Sequence, residues 1–176
     1  SYKDLLVQSA PMFQSLCCSS SLLFEAGFLD ESVPSYQEWD TSLRLAKNGG
    51  KFVHIKEALF DYYIGANDAI SKSIEKDFIG RSNIYNKWKQ DILKLHGSKI
   101  YKIMLAQNYN TALDNNLDFE NLKKNNQIVF EYEKNLIDFF GNDYRKNINK
   151  LKQKNDFKRS LIWKDKRKIY HVILGK

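Results

Sequence analysis

The sequence has little cysteine, little proline and no long apolar run, and each shortage excludes something. Only two of 176 residues are cysteines, the adjacent Cys17 and Cys18. Neighbouring cysteines rarely bridge each other because the ring is strained, so neither a disulfide framework nor a metal ligand set is expected. Two thiols on a buried strand is the plain reading, and reduced thiols fit a cytoplasmic location. Prolines occur only at Pro11 and Pro34, so nothing breaks a helix after residue 34. No run of about 18 apolar residues exists, so no transmembrane helix is expected. The start, Ser1-Tyr2-Lys3-Asp4, lacks the basic stretch and apolar run of a signal peptide, and its lack of Met suggests a trimmed start. His54, His96 and His171 are too scattered to have the spacing of a zinc site.

What is present is charge, unevenly placed. The net charge is +7. Residues 145–176 hold 12 Lys or Arg against 2 Asp, a net of +10, which leaves 16 basic and 19 acidic residues, −3, elsewhere. The basic character therefore belongs to the C-terminal tail. There Leu161, Ile162, Trp163, Ile169, Tyr170 and Val172 alternate with lysines and arginines. Such a segment suits either a basic outer face on a packed helix or an amphipathic helix on anionic lipid, a peripheral contact at the inner face of a membrane. No nucleic-acid motif accompanies it, so a nucleic-acid partner is not expected.

The expected fold is α+β and predominantly helical, with a boundary near residue 74. The segment 12–20 is short, apolar and bounded by Pro11 and serines, which predicts a strand. A short helix follows over residues 21–26, ended by Gly27 in a left-handed cap. A helix is predicted from Tyr36 to about Asn48, stopped by Gly49-Gly50, with Ser35 as N-cap. Residues 51–55 and 58–64 include β-branched and aromatic side chains and predict two further strands, making a small mixed sheet. Residues 65–73 are a polar loop. Residues 74–176 form a helical region, with helices over 78–95, 99–113, 119–140, 144–154 and 161–174 separated by Gly97, Asn115-Asn116 and Gly141. Gly80 reads as backbone punctuation. Taken alone, residues 75–176 fit a non-enzymatic helical interaction module.

The chemistry concentrates in one helix. Tyr36, Trp39, Leu43 and Ala46 fall at helical spacing and face a core. Asp40 and Arg44, four apart, make a helical ion pair of about 0.3–0.5 kcal/mol. Ser35 and Glu38 have the spacing of a capping box, in which the Glu side chain reaches back to the Ser amide.

Three pieces, in order, resemble bacterial family 2 glycosyltransferases. Ala26-Gly27-Phe28-Leu29-Asp30-Glu31 is similar to the family's Gly-x-Phe-Asp-Glu turn. Gln37-Glu38-Trp39-Asp40-Thr41-Ser42-Leu43-Arg44-Leu45-Ala46 resembles its (Glu/Asp)-Asp-Trp-Asp-x-x-x-Arg-x-Ala helix. Lys56-Glu57-Ala58-Leu59-Phe60-Asp61-Tyr62-Tyr63, followed by Asp68-Ala69-Ile70-Ser71, resembles the strand and loop that come next. The resemblance covers about residues 11–73.

The resemblance implies the acceptor-side portion (residues 1–73) of a GT-A domain, ahead of the helical region 74–176. The parent enzyme would displace a nucleoside diphosphate from a nucleotide-sugar, with inversion and with Mg²⁺ or Mn²⁺. The acceptor would be a cell-surface polysaccharide or a lipid-linked sugar. The general base is the acid just before the helix Trp, here Glu38, with Asp40 as the alternative. Trp39, Asp30 and Glu31 would contact substrate. The family's Arg and His after the strand are replaced by Ile64-Gly65-Ala66-Asn67-Asp68, where Asn67 or Asp68 is a candidate oxygen ligand and a polar turn is the alternative. No Asp-x-Asp precedes Ser35 and no Gly-rich phosphate loop is present. This chain alone is therefore expected to bind a nucleotide-sugar poorly and to need a donor half from upstream sequence or another chain; a homo-oligomer is a separate partner option.

Overall fold

The computed structural model describes residues 1–8, 16–53, 55–57 and 73–153. Every element among them is helical: α1 (Tyr2–Leu5), α2 (Ser20–Glu25), α3 (Gln37–Lys47), α4 (Ile74–Lys87), α5 (Lys89–Asp114), α6 (Phe119–Asn125), α7 (Gln127–Phe140) and α8 (Tyr144–Gln153). No helix among the described residues is long and apolar enough to cross a membrane.

The expected mixed sheet is corrected by this arrangement. Residues 16–19 and 51–53 are irregular, and no backbone ladder joins either segment to another among the described residues. β-Propensity expresses packing against a neighbouring strand, and neither segment has one there. Cys17 and Cys18, expected on a buried strand, are exposed. The expected strand 58–64, the part of the expected strand 12–20 that precedes Leu16, His54, His171 and the tail from residue 154 lie outside the described residues.

The core forms where α4 packs against α5 and α7. Phe78, Ile84, Tyr85 and Ile92 join Tyr101, Met104, Leu105 and Tyr109, with Val129, Tyr132 and Leu136 from α7 and Tyr144 and Ile148 from α8. Edge-to-face rings run from Tyr132 through Phe78 and Phe119 to Tyr109 and Tyr144. Two buried tyrosine hydroxyls are satisfied on backbone: Tyr101 donates to the Tyr85 carbonyl at 3.2 Å, and Tyr132 to that of Leu105.

Leu6, Trp39 and Leu43 belong to the same cluster. The core thus runs across residues 73–74, and α3 is seated on α1 and on the helices that follow it. Two helix boundaries differ from expectation. The first long helix ends at Lys87, and α5 carries its kink at Gly97 (φ 79°). Residues 119–140 divide at Asn126, whose side chain caps α7 through the Ile128 amide at 2.9 Å.

Candidate functional site

The site is built on α3, and a glycine in α4 determines how α3 begins. The Ser35 hydroxyl donates to the Lys76 carbonyl at 2.9 Å, across to α4. A Cβ on Gly80 would come within 2.9 Å of Tyr36 Cδ2 and 3.0 Å of the Ser35 carbonyl, and closer still to Ser35 Oγ. Only glycine leaves room for this approach. The Ser35 side chain is therefore engaged by α4 and does not cap α3. The N-cap is Tyr36, held at φ 66°, and no side chain caps the helix. The capping box expected between Ser35 and Glu38 is absent for this reason.

A left-handed Tyr costs about 1–2 kcal/mol, and its side chain supplies the compensation. The Tyr36 hydroxyl donates to Asp77, the Arg81 guanidinium lies 5.2 Å from the ring centre, and Trp39 meets the ring edge-on at 5.7 Å. Burial raises the pKa of the Tyr36 phenol well above the usual tyrosine range.

Asp40 has no exposure at all. Arg44 Nε donates to one of its carboxylate oxygens at 2.8 Å, while Trp88 Nε1 at 3.0 Å and Lys87 Nζ at 2.8 Å reach the other. Arg44 also donates to the carbonyls of Ala26 and Phe28 and, at 3.2 Å, to Thr41 Oγ1. Lys87 spans Asp40 and Asp30, lying 2.6 Å from Asp30 Oδ2. The turn over residues 26–30 is thereby fixed at two points, by Arg44 and by Lys87. Gly27 and Phe28, at φ 79° and 57°, give the turn its left-handed corner. Lys87 and the Ser32 hydroxyl and amide hold the Asp30 carboxyl well below the usual carboxylate range.

Glu38 stands apart from this network. Asp40 lies two residues on, about 200° around the helix, so the two carboxylates are on opposite sides of α3 and are not an acid–base pair. Glu38 is half-buried and has no hydrogen bond or ion pair among the described residues. One turn further on the same side is Ser42, 1% exposed, whose hydroxyl has no partner there.

The other expected site residues divide clearly. Trp39 is 2% exposed, donates its indole N–H to the Leu5 carbonyl at 2.6 Å, and meets Tyr36 and Tyr85 edge-on. It is a core side chain, and the expected substrate contact gives way to packing. Asp40 is likewise committed to Arg44, Lys87 and Trp88, with no face left for an acceptor. Asp30 is taken by Lys87 and Ser32, and Glu31 is exposed without an ion pair among the described residues. Asn67 and Asp68 lie outside the described residues.

No group of three His, Cys, Asp or Glu among the described residues is placed to hold a metal ion. Of the carboxylates in the motif pieces, Asp30 and Asp40 are neutralised by Lys87 and Arg44 and do not fit Mg²⁺ or Mn²⁺.

Sequence reasoning missed Lys87, Trp88 and Gly80. The Asp40–Arg44 pair is visible in the spacing, but its other two partners are 47 and 48 residues away with no local signal. No protein family, no curated protein and no solved structure matches this chain.

Proposed function

We propose that this chain is the acceptor-side part of a sugar-transferring enzyme, with Glu38 as the general base. One observation carries the reading: of the two acids in the α3 motif, one is wholly consumed by structure and the other is left without a partner among the described residues. Asp40 locks the helix to its surroundings. Glu38, at the first turn on the opposite side, would take the proton of an acceptor hydroxyl as that oxygen attacks the anomeric carbon of a nucleotide-sugar and the nucleoside diphosphate leaves. Inversion follows from a single displacement. The Mg²⁺ or Mn²⁺ that the resemblance implies belongs to the parent enzyme's donor half, where it would supply positive charge for the diphosphate. The donor half has to be supplied beyond these residues, and the work would take place on the cytoplasmic side, at the inner face of a membrane where lipid-linked or polysaccharide acceptors are built.

The test is nucleoside-diphosphate release from a panel of UDP-, GDP- and dTDP-sugars, using the intact gene product or this chain combined with a donor half. Glu38→Gln is expected to lower transfer about 10²–10⁴-fold with an unchanged melting temperature. Full transfer by Glu38→Gln would overturn the reading.

A second reading is favoured by a different observation. Phe24 and Phe28 form an edge-to-face pair with rings 5.6 Å apart and are 68% and 53% exposed, on a fold whose described elements are all helical. This suits a helical interaction module. Such a module would lose its partner on Phe24→Asp and keep it on Glu38→Gln, the reverse of the enzyme's response.

A further inference from the structure

The outer face of α8 is strongly basic and is built independently of α3. Tyr144 and Ile148 turn inward at 4% and 0% exposure, and Leu151 packs partly against the core. Arg145, Lys146, Asn147, Asn149, Lys150 and Lys152 are exposed. Two of the four cations are spoken for: Arg145 pairs with Glu120, and Lys152 with Asp114 at 2.8 Å. Lys146 and Lys150 pair with no carboxylate among the described residues and stand four apart on one face. Like charges at that spacing weaken a helix slightly, so local stability does not account for them.

The same corner of the molecule carries an aromatic ring. Asn147 donates to the Phe140 carbonyl at 2.7 Å, which brings α8 against the end of α7. The Phe140 ring is half-buried, with Lys102 Nζ 5.8 Å from its centre. From Gln153 the chain continues into residues 154–176, a segment with eight Lys or Arg, two Asp, and the apolar runs Leu161-Ile162-Trp163 and Val172-Ile173-Leu174.

We infer that the outer face of α8, with Lys146 and Lys150 at its centre, docks on an anionic lipid surface. Charge complementarity selects a polyanion. The apolar runs joined to α8 select a bilayer over a nucleic acid, because phosphate contacts alone make no use of large aliphatic side chains, whereas the headgroup boundary of a membrane takes up both kinds. The inference stands apart from the reading of Glu38.

The experiment is co-sedimentation of the full chain with vesicles of phosphatidylcholine alone and with about 30% phosphatidylglycerol, beside a gel shift with duplex DNA and with RNA. The expected result is binding to the anionic vesicles only, fading as salt shortens the screening length from about 10 Å towards 3 Å. Each lysine near such a surface is worth about fivefold, so Lys146→Gln with Lys150→Gln should weaken binding about 25-fold. The melting temperature should stay constant, since both side chains are exposed. Glu38→Gln should bind vesicles as the parent does. Equal binding to neutral vesicles, no loss in the double variant, no vesicle binding at all, or tighter binding to DNA or RNA than to vesicles would each overturn the inference.

Discussion

Replacing Gly80 with alanine sets two well-known effects against each other. Inside a helix, Gly to Ala gains about 0.5–1 kcal/mol, because glycine loses more backbone freedom on folding. At this position the new methyl group would enter the space held by Ser35 and Tyr36, within 2.9 Å of Tyr36 Cδ2 and 3.0 Å of the Ser35 carbonyl. Neither neighbour can yield cheaply. The carbonyl is backbone, and the Tyr36 ring is braced by Asp77, Arg81 and Trp39. The Ser35 hydroxyl can rotate, but only by giving up its bond to the Lys76 carbonyl while the residue is 6% exposed. Overpacking costs about 1–3 kcal/mol, and a stranded buried hydroxyl about 1–3 more. The net change is a destabilisation of about 3 kcal/mol, a fall in melting temperature of roughly 6–12 °C for a chain of this size. Thermal and urea unfolding followed by far-ultraviolet circular dichroism measure it. The double variant Gly80→Ala with Ser35→Ala removes the atom nearest the new methyl group, so Gly80→Ala should cost at least about 1 kcal/mol less in that background. A Gly80→Ala protein as stable as the parent would show that the start of α3 does not rest on α4 in this way.

Asp40→Asn keeps the shape of the side chain but leaves Arg44 and Lys87 without their buried counter-charge; it should cost about 3–5 kcal/mol in urea unfolding, and a loss under about 1 kcal/mol would refute the network. Ser42→Ala deletes a buried hydroxyl with no partner among the described residues, so its melting temperature should equal or exceed that of the parent; a drop of several degrees would mean the hydroxyl is bonded. The Asp30 carboxyl is held low chiefly by Lys87, so its contribution is complete above about pH 4 and is lost as pH falls from there towards its depressed folded value. Melting curves between about pH 5 and pH 2 should therefore fall less steeply for Asp30→Asn than for the parent, and parallel curves would discount the Lys87 contact.

Much of the helical content was legible because it is local. The spacing of Trp39 and Leu43 predicts the buried face of α3, Gly27 predicts the end of α2, and Asp40 and Arg44 predict their own pairing. Elsewhere the deciding partner is distant. Ser35 is a good N-cap by type, but the carbonyl of Lys76, 41 residues later, takes its hydroxyl, and the helix starts one residue further on. The break between α4 and α5 carries no Gly or Pro. It falls at Trp88, a residue 5% exposed whose indole is bonded to Asp40, so tertiary packing and not turn chemistry sets it. Val53 reads as a strand residue by type, yet is 86% exposed; branched side chains favour strands only when a neighbouring strand gives them something to pack against.

The Asp40 network also changes how the candidate base should be understood. The sequence divides near residue 74 into a motif-bearing portion and a helical portion, as if the second were an appendage. Lys87 and Trp88 of the helical portion end on Asp40, Gly80 makes room for Ser35, and Trp39 and Leu43 enter the core of α4, α5 and α7. A base in a displacement reaction has to hold its carboxylate within hydrogen-bond reach of one hydroxyl, and small misplacements cost large factors in rate. Glu38 has no side-chain partner among the described residues to hold it in place. Its backbone position is therefore inherited from its neighbours in α3, and theirs from α4 and α5. The helical region is then part of the site's construction, although it supplies none of the residues that the motif brings to notice.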